Sequence, residues 1–188
     1  MALEKVREIL KVADRQNTAV YAFDALDLNT IEAGAERAQK PVIAMLYPAM
    51  SAICPLRIFA EMVKTCAKRV RVPVGLHLDH CSDFDYILAA IREGFTSVMA
   101  DGSLLPLEEN IAFTRQVVRC AKAFDVDVEG ELGHVGSGGN AGDYGSDDLY
   151  TLPEDARRFA EETEVASLAV AIGSAHGVYV KAPKLSIE

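Results

Sequence analysis

No stretch of this sequence approaches the about 18 to 20 uninterrupted apolar residues that a membrane span needs. The opening segment Met1 to Leu10 carries the charge pattern of a surface helix, not of a secretory leader. The expected setting is the cytoplasm, with no membrane partner. Basic surface is equally scarce. The formal net charge is -9, and Lys and Arg are scattered along helix-like segments, so phosphate-backbone binding has no patch to rest on and nucleic acid is not an expected partner. An acidic surface still leaves room for a phosphorylated small molecule, because a metal and a few backbone amides create a local anion site. The cysteines Cys54, Cys66, Cys81 and Cys120 form no C-x-x-C pair, which argues against a thiolate zinc site and a redox motif; they read as free thiols, mostly buried. The tract from Gly133 to Gly145 has neither a G-x-G-x-x-G fingerprint nor a P-loop, so NAD and ATP are unsupported. No low-complexity run, linker or repeat divides the chain.

What is present is a sequence half apolar and 25% charged over 188 residues, enough for one globular domain with a sizeable core. Apolar runs of strand length recur between longer stretches of helical periodicity, the pattern of βα units on a parallel sheet. The strands expected are Ala19 to Asp24, Val42 to Tyr47, Val74 to Leu78, Ser97 to Asp101, Val126 to Glu131 and Leu168 to Ile172. The helices expected after the opening one are Thr30 to Gln39, Pro55 to Arg69, Phe84 to Glu93, Pro106 to Phe124 and Pro153 to Thr163. Ser82 or Asp83 can cap the helix at Phe84, Gly94 can stop it, and Pro153 suits a first helical position. In Leu168-Ala169-Val170-Ala171-Ile172-Gly173, bulky residues alternate with small ones, as if Leu168, Val170 and Ile172 packed on helices while the small set faced a crowded interior. That favours a (β/α)8 barrel, yet such barrels take about 250 residues and at least about 200. Six of the eight units are accounted for.

The ionisable residues gather at the carboxyl ends of these strands. His77, Asp79 and His80 end the third, Asp101 the fourth, Glu129 and Glu131 the fifth, and His176 follows the sixth. In a βα barrel those ends converge on the face that carries the active site. Any one of them could instead cap a helix; the conjunction is what points to a site. Strict alternation would send Asp79 and His80 to opposite faces, so regular pairing must end at one of them if both are to share a site. His80 and His176 offer the neutral imidazoles that zinc prefers, and a catalytic zinc takes three protein ligands plus an open position. His134 is a candidate third, or a solvent-facing loop histidine. His77 shares the parity of Asp79 and reads as a supporting or packing residue. The Gly133 to Gly145 tract, with Asp143, Asp147 and Asp148, suits a lid over a pocket or an exposed loop.

The motifs Tyr21-Ala22-Phe23-Asp24, Val72-Pro73-Val74-Gly75-Leu76-His77-Leu78-Asp79-His80 and Gly94-Phe95-Thr96-Ser97-Val98-Met99-Ala100-Asp101-Gly102-Ser103 stand in order along the chain. They are followed by Val128-Glu129-Gly130-Glu131-Leu132-Gly133 and Ala169-Val170-Ala171-Ile172-Gly173-Ser174-Ala175-His176-Gly177-Val178-Tyr179. In this order and spacing the sequence resembles the class II, zinc-dependent fructose-bisphosphate and tagatose-bisphosphate aldolases, over essentially its whole length. The resemblance implies an incomplete (β/α)8 domain over residues 1–188. It implies a zinc held by His80 and His176, with Asp101 and Glu131 as polar neighbours or alternative ligands. Asp79 would be the acid-base residue, and Gly177 would begin a backbone segment near a substrate phosphate and a monovalent cation, Na+ or K+. The implied reaction cleaves or forms a ketose 1,6-bisphosphate through the enediolate of dihydroxyacetone phosphate and an aldehyde, in a homodimer or homotetramer. Three departures are visible. The sequence ends before the family's third histidine ligand, the family's loop glutamate has no counterpart beyond the candidate Asp143, and Asp24 replaces a common asparagine beside the substrate. An aldolase-derived protein that binds or associates without turnover is the alternative. A barrel metal-dependent hydrolase fits poorly, because Tyr21-Ala22-Phe23-Asp24 has no His pair.

Overall fold

The first helix, α1 (Val6–Arg15), turns an apolar stripe of Val6, Ile9 and Ala13 inward and leaves Lys11 and Arg15 exposed. It is therefore not only a surface helix. A parallel bridge between Leu3 and Val74, and the Glu4 N–H donated to the Val74 carbonyl at 2.9 Å, bring it to the amino end of the sheet. There Val6 and Ile9 fill the space that a side chain at Gly75 would take; a Cβ at Gly75 would stand 2.9 Å from Val6 Cγ2. This computed structural model describes residues 3–133, 136–137, 150–176, 182 and 184–186.

Beyond α1 the chain alternates as its periodicity predicts. The order is β1 (Tyr21–Asp24), α2 (Leu28–Ala38), β2 (Val42–Leu46), a 3-10 turn (Pro48–Ala52), α3 (Leu56–Arg69), β3 (Val74–Cys81), α4 (Phe84–Glu93) and β4 (Ser97–Ala100). It continues with α5 (Leu107–Lys122), β5 (Asp127–Leu132), β6 (Gly136–Ser137), α6 (Pro153–Thr163), β7 (Ser167–Val170) and β8 (Ala175–His176). Helix ends follow local chemistry. Asp83 accepts from the amides of Asp85 and Tyr86 at 3.0 and 3.1 Å, Gly94 closes α4 with φ at 89°, and Pro153 occupies the first turn of α6.

Six parallel strands pair in the order β1-β2-β3-β4-β5-β7 and curl into part of a (β/α)8 barrel. The separate β6–β8 pair, Gly136 beside Ala175 and Ser137 beside His176, was not foreseen from two-residue segments. The main core lies between the sheet and its helices. Val42, Ala44 and Leu46, Val74, Leu76 and Leu78, and Val98 and Ala100 face outward into it and are essentially inaccessible. Alternation then directs the other set inward: His77 and Asp79, Ser97 and Met99, and Asp127, Glu129 and Glu131. At β5 the outward position is Gly130, whose missing Cβ makes room for Phe159 of α6; a Cβ there would stand 2.5 Å from Phe159 Cε1. Three cysteines are buried, and burial pushes the Cys66 and Cys81 thiols up to about 11.

The expectation that Leu168, Val170 and Ile172 all pack on helices fails at Val170, which is 41% exposed. Among the described residues β7 is the edge of the sheet, paired with β5, and no helix follows it. No helix of the described residues is long and apolar enough to cross a membrane.

Candidate active site

Both Asp79 and His80 reach the inner, carboxyl-end face because β3 breaks its register there. His77 and Leu78 stand opposite Ser97 and Val98, but Cys81 stands opposite Ala100, so β3 carries one residue more than β4. This is a β-bulge, and His80 absorbs it with a left-handed φ of 40°. A non-glycine residue in that conformation costs about 1–3 kcal/mol and persists where the surroundings enforce it. Asp79 remains inward and 8% exposed, while His80 is turned toward the ends of β4 and β5.

There His80 Nδ1 lies 3.0 Å from Asp101 Oδ2 and 2.9 Å from Glu131 Oε2. The hydrogen bond is aligned with Asp101. Glu131 Oε2 is buried and, among the described residues, has no hydrogen bond of its own despite the close charge contact. One N–H cannot point squarely at both carboxylates, so among the described residues Glu131 Oε2 is the less well matched of the two. The hydrogen bond with Asp101 first, and the close contact with Glu131 second, push the imidazole up to about 11. Burial opposes ionisation of Asp101, but its bonds with His80 and Ser103 outweigh this and hold the carboxyl down at about 2. Ser103 donates its backbone N–H and its hydroxyl to Asp101 Oδ1 at 3.1 and 2.6 Å.

The donor atoms of His80, Asp101 and Glu131 all lie within 4.8 Å of one another. One imidazole and two carboxylates suit a divalent cation such as zinc, and a cation, unlike a single N–H, can satisfy the buried Glu131 oxygen and the Asp101 oxygen together. The donor set fits.

Below it lies a second polar layer. His77 is 2% exposed; its Nδ1 pairs with Ser97 Oγ at 2.9 Å, and its Nε2 is 3.6 Å from Glu129 Oε2. Burial, and then the charge of His80, push the His77 imidazole down to about 3, so it is neutral. Burial and the neighbouring carboxylates Asp79 and Glu131 push Glu129 up to about 7. His77 thus stands outside the ligand cluster, as a supporting residue would.

At the rim, Asp24 closes β1. Desolvation raises its carboxyl above the usual carboxylate value, against a hydrogen bond from the Tyr47 backbone and the charge of His80. The Tyr47 ring meets the His80 ring edge to face, with centroids 6.3 Å apart. Tyr47, Ser97 and Ser103 were not singled out in the sequence, although Tyr47 obeys the strand-end rule that identified the others. For His176 the structure describes the backbone, in β8 beside Ser137, and nothing of the side chain; Gly177, His134 and Asp143 lie outside the described residues, as does most of the tract expected to form a lid.

Residues 4–188 match the family model described as fructose-bisphosphate aldolase class-II. Among solved structures, the YdjI aldolase from Escherichia coli K12 is similar at a TM-score of 0.84 and 32% identity, over 98% of this chain and 66% of that one. The fructose-bisphosphate aldolase of Campylobacter jejuni is similar at 0.75 and 26%, over 100% of this chain and 62% of that one. The chain therefore spans somewhat less than two thirds of the length of these solved aldolases.

Proposed function

We propose, from the premise that the chain belongs to the class II fructose-bisphosphate aldolase family, that it is the greater part of a zinc-dependent aldolase acting on a ketose 1,6-bisphosphate of the fructose or tagatose type. Residues 1–188 are read as one barrel domain. The observation that carries the proposal is the bulge at Asp79-His80, which puts a buried carboxylate beside the His80–Asp101–Glu131 cluster at the carboxyl end of the sheet.

His80 and, from β8, His176 would hold the metal, with Asp101 and Glu131 as further or alternating ligands. When bound, zinc supplies Lewis-acid polarisation of the substrate ketone and compensates developing negative charge. The other work falls to this chain. Asp79 would accept the proton of the sugar C4 hydroxyl as the C3–C4 bond breaks, and return it in the condensation direction. Its charge acts on both His80 and Glu129, so it stands within electrostatic reach of the centre. Ser103 and Asp101 together orient His80, and neutral His77 supports Glu129 without adding charge. Asp24 and the backbone at Gly177 would meet the substrate, the latter with its phosphate and a Na+ or K+ ion. The setting implied is a cytoplasmic homodimer or homotetramer acting on free sugar phosphates.

The test is retro-aldol turnover of fructose and tagatose bisphosphates with zinc present. Asp79→Ala should abolish cleavage while zinc stays bound, whereas His176→Ala should weaken the metal. Unchanged turnover in Asp79→Ala removes Asp79 from the mechanism. Zinc binding by the unaltered protein with no turnover of either sugar would favour a binding protein derived from an aldolase.

A further inference from the structure

Asp101 and Glu131 come from different strands, yet their carboxylates must keep one spacing to share a cation. The helix that joins those strands, α5, carries an unexpected residue at the relevant height. Asn110 is 1% exposed, although asparagine is a poor helix former and burying an amide costs free energy unless its polar atoms are matched. Both are matched. Its Nδ2 donates to the Glu131 backbone carbonyl at 2.8 Å, and its Oδ1 accepts from the Thr114 hydroxyl at 3.2 Å. The same side chain lies against Gly102, the residue after Asp101; a Cβ there would stand 2.3 Å from Asn110 Oδ1 and 2.8 Å from Cγ. One buried amide therefore touches the backbone beneath both carboxylate-bearing strand ends.

We infer that Asn110 is a positioning residue for the metal centre: it ties the Glu131 carbonyl to α5 and packs under Gly102, and so sets the spacing of the Glu131 and Asp101 carboxylates. The inference rests on reading His80, Asp101 and Glu131 as that centre. Thr114, 0% exposed, matches the amide oxygen and so lowers the cost of burying Asn110, while the bond from Nδ2 to Glu131 is made independently of it. Groups that orient metal ligands in this way are worth about 10–100-fold in affinity.

The experiment measures zinc affinity by chelator competition, the visible spectrum of the cobalt(II) form, and the urea midpoint of the metal-free protein. Asn110→Leu removes the donor at similar volume, and Asn110→Ser, too short to reach the carbonyl, serves if the leucine variant does not fold. Thr114→Val is the comparison, since it lowers stability without removing the bond to Glu131. Zinc affinity reduced about 10–100-fold in the Asn110 variants, with an altered cobalt spectrum, and an affinity near that of the unaltered protein in Thr114→Val, are the results expected. Asn110 variants that lose stability yet keep the original affinity and spectrum would show a merely structural residue and overturn the inference. If the unaltered protein binds zinc no better than His80→Ala, the metal-centre reading itself fails, and the positioning role with it.

Discussion

Replacing Arg7 with alanine should destabilise the protein severely, and a second substitution should partly repair the damage. Asp127 lies 3% exposed at the amino end of β5. Arg7 reaches it from α1 with both its backbone N–H, at 2.8 Å to Oδ2, and its guanidinium, at 2.6 Å to Oδ1. A second guanidinium nitrogen bonds the exposed Asp125 at 2.6 Å, a contact that water screens and that adds little. Arg7→Ala leaves the Asp127 carboxylate buried with only the amide of residue 7 to answer it. Breaking a buried pair in this way costs about 3–5 kcal/mol, and because the Arg7 side chain is itself 31% exposed, the lower part of that range is expected. Asp127→Asn keeps an oxygen for the residue 7 amide and removes the charge, so it should cost about 1–2 kcal/mol, near the value of one hydrogen bond. The double variant then has no buried charge to desolvate and should be more stable than Arg7→Ala alone. Urea unfolding of all four proteins at pH 7 reads the cycle directly. Additive losses, or an Arg7→Ala loss below about 1 kcal/mol, the value of an exposed pair, would refute the argument that α1 is pinned under the barrel by a buried ion pair.

Two further outcomes follow from the interior. Glu129 is raised from 4.5 to about 7, so the unfolded chain ionises before the folded one; the stability tied to its protonated form is complete below pH 4.5 and is lost as pH rises through 7. Glu129→Gln, with metal chelated, should flatten that decline between pH 5 and 7, and an unchanged difference in urea midpoints between those pH values would contradict it. Gly130→Ala places a methyl 2.5 Å from Phe159 Cε1 and 3.1 Å from Cζ, an overpacking expected to cost about 1–3 kcal/mol; Phe159→Leu in the same chain should recover part of it, and a neutral Gly130→Ala would show that α6 shifts freely.

Much of this architecture is legible in sequence because each unit carries its own period. The six long strands and the helices between them follow from apolar runs bounded by residues such as Asp83, Gly94 and Pro153, which act within one turn of chain. The meeting of Asp101 with Glu131 is likewise legible, since both end strands of a parallel sheet. Longer-range arrangements leave weaker marks. Nothing local in α1 says that Val6 and Ile9 sit against Gly75, because that depends on where the sheet ends. The bulge at His80 is implied only by the need for Asp79 and His80 to share a face. Asn110 reads as an ordinary polar helix residue until the carbonyl of Glu131, 21 residues on, is placed above it. Val170 misled because alternation reports which face a residue occupies, not whether a helix covers that face.

Zinc titration of the unaltered protein against His80→Ala decides whether His80, Asp101 and Glu131 form a metal centre. One zinc per chain is expected, with an affinity at least about 10-fold weaker once the imidazole is gone, a ligand costing no less than the partners that merely orient it. Equal affinity in the two proteins, or no zinc bound by either, would contradict it.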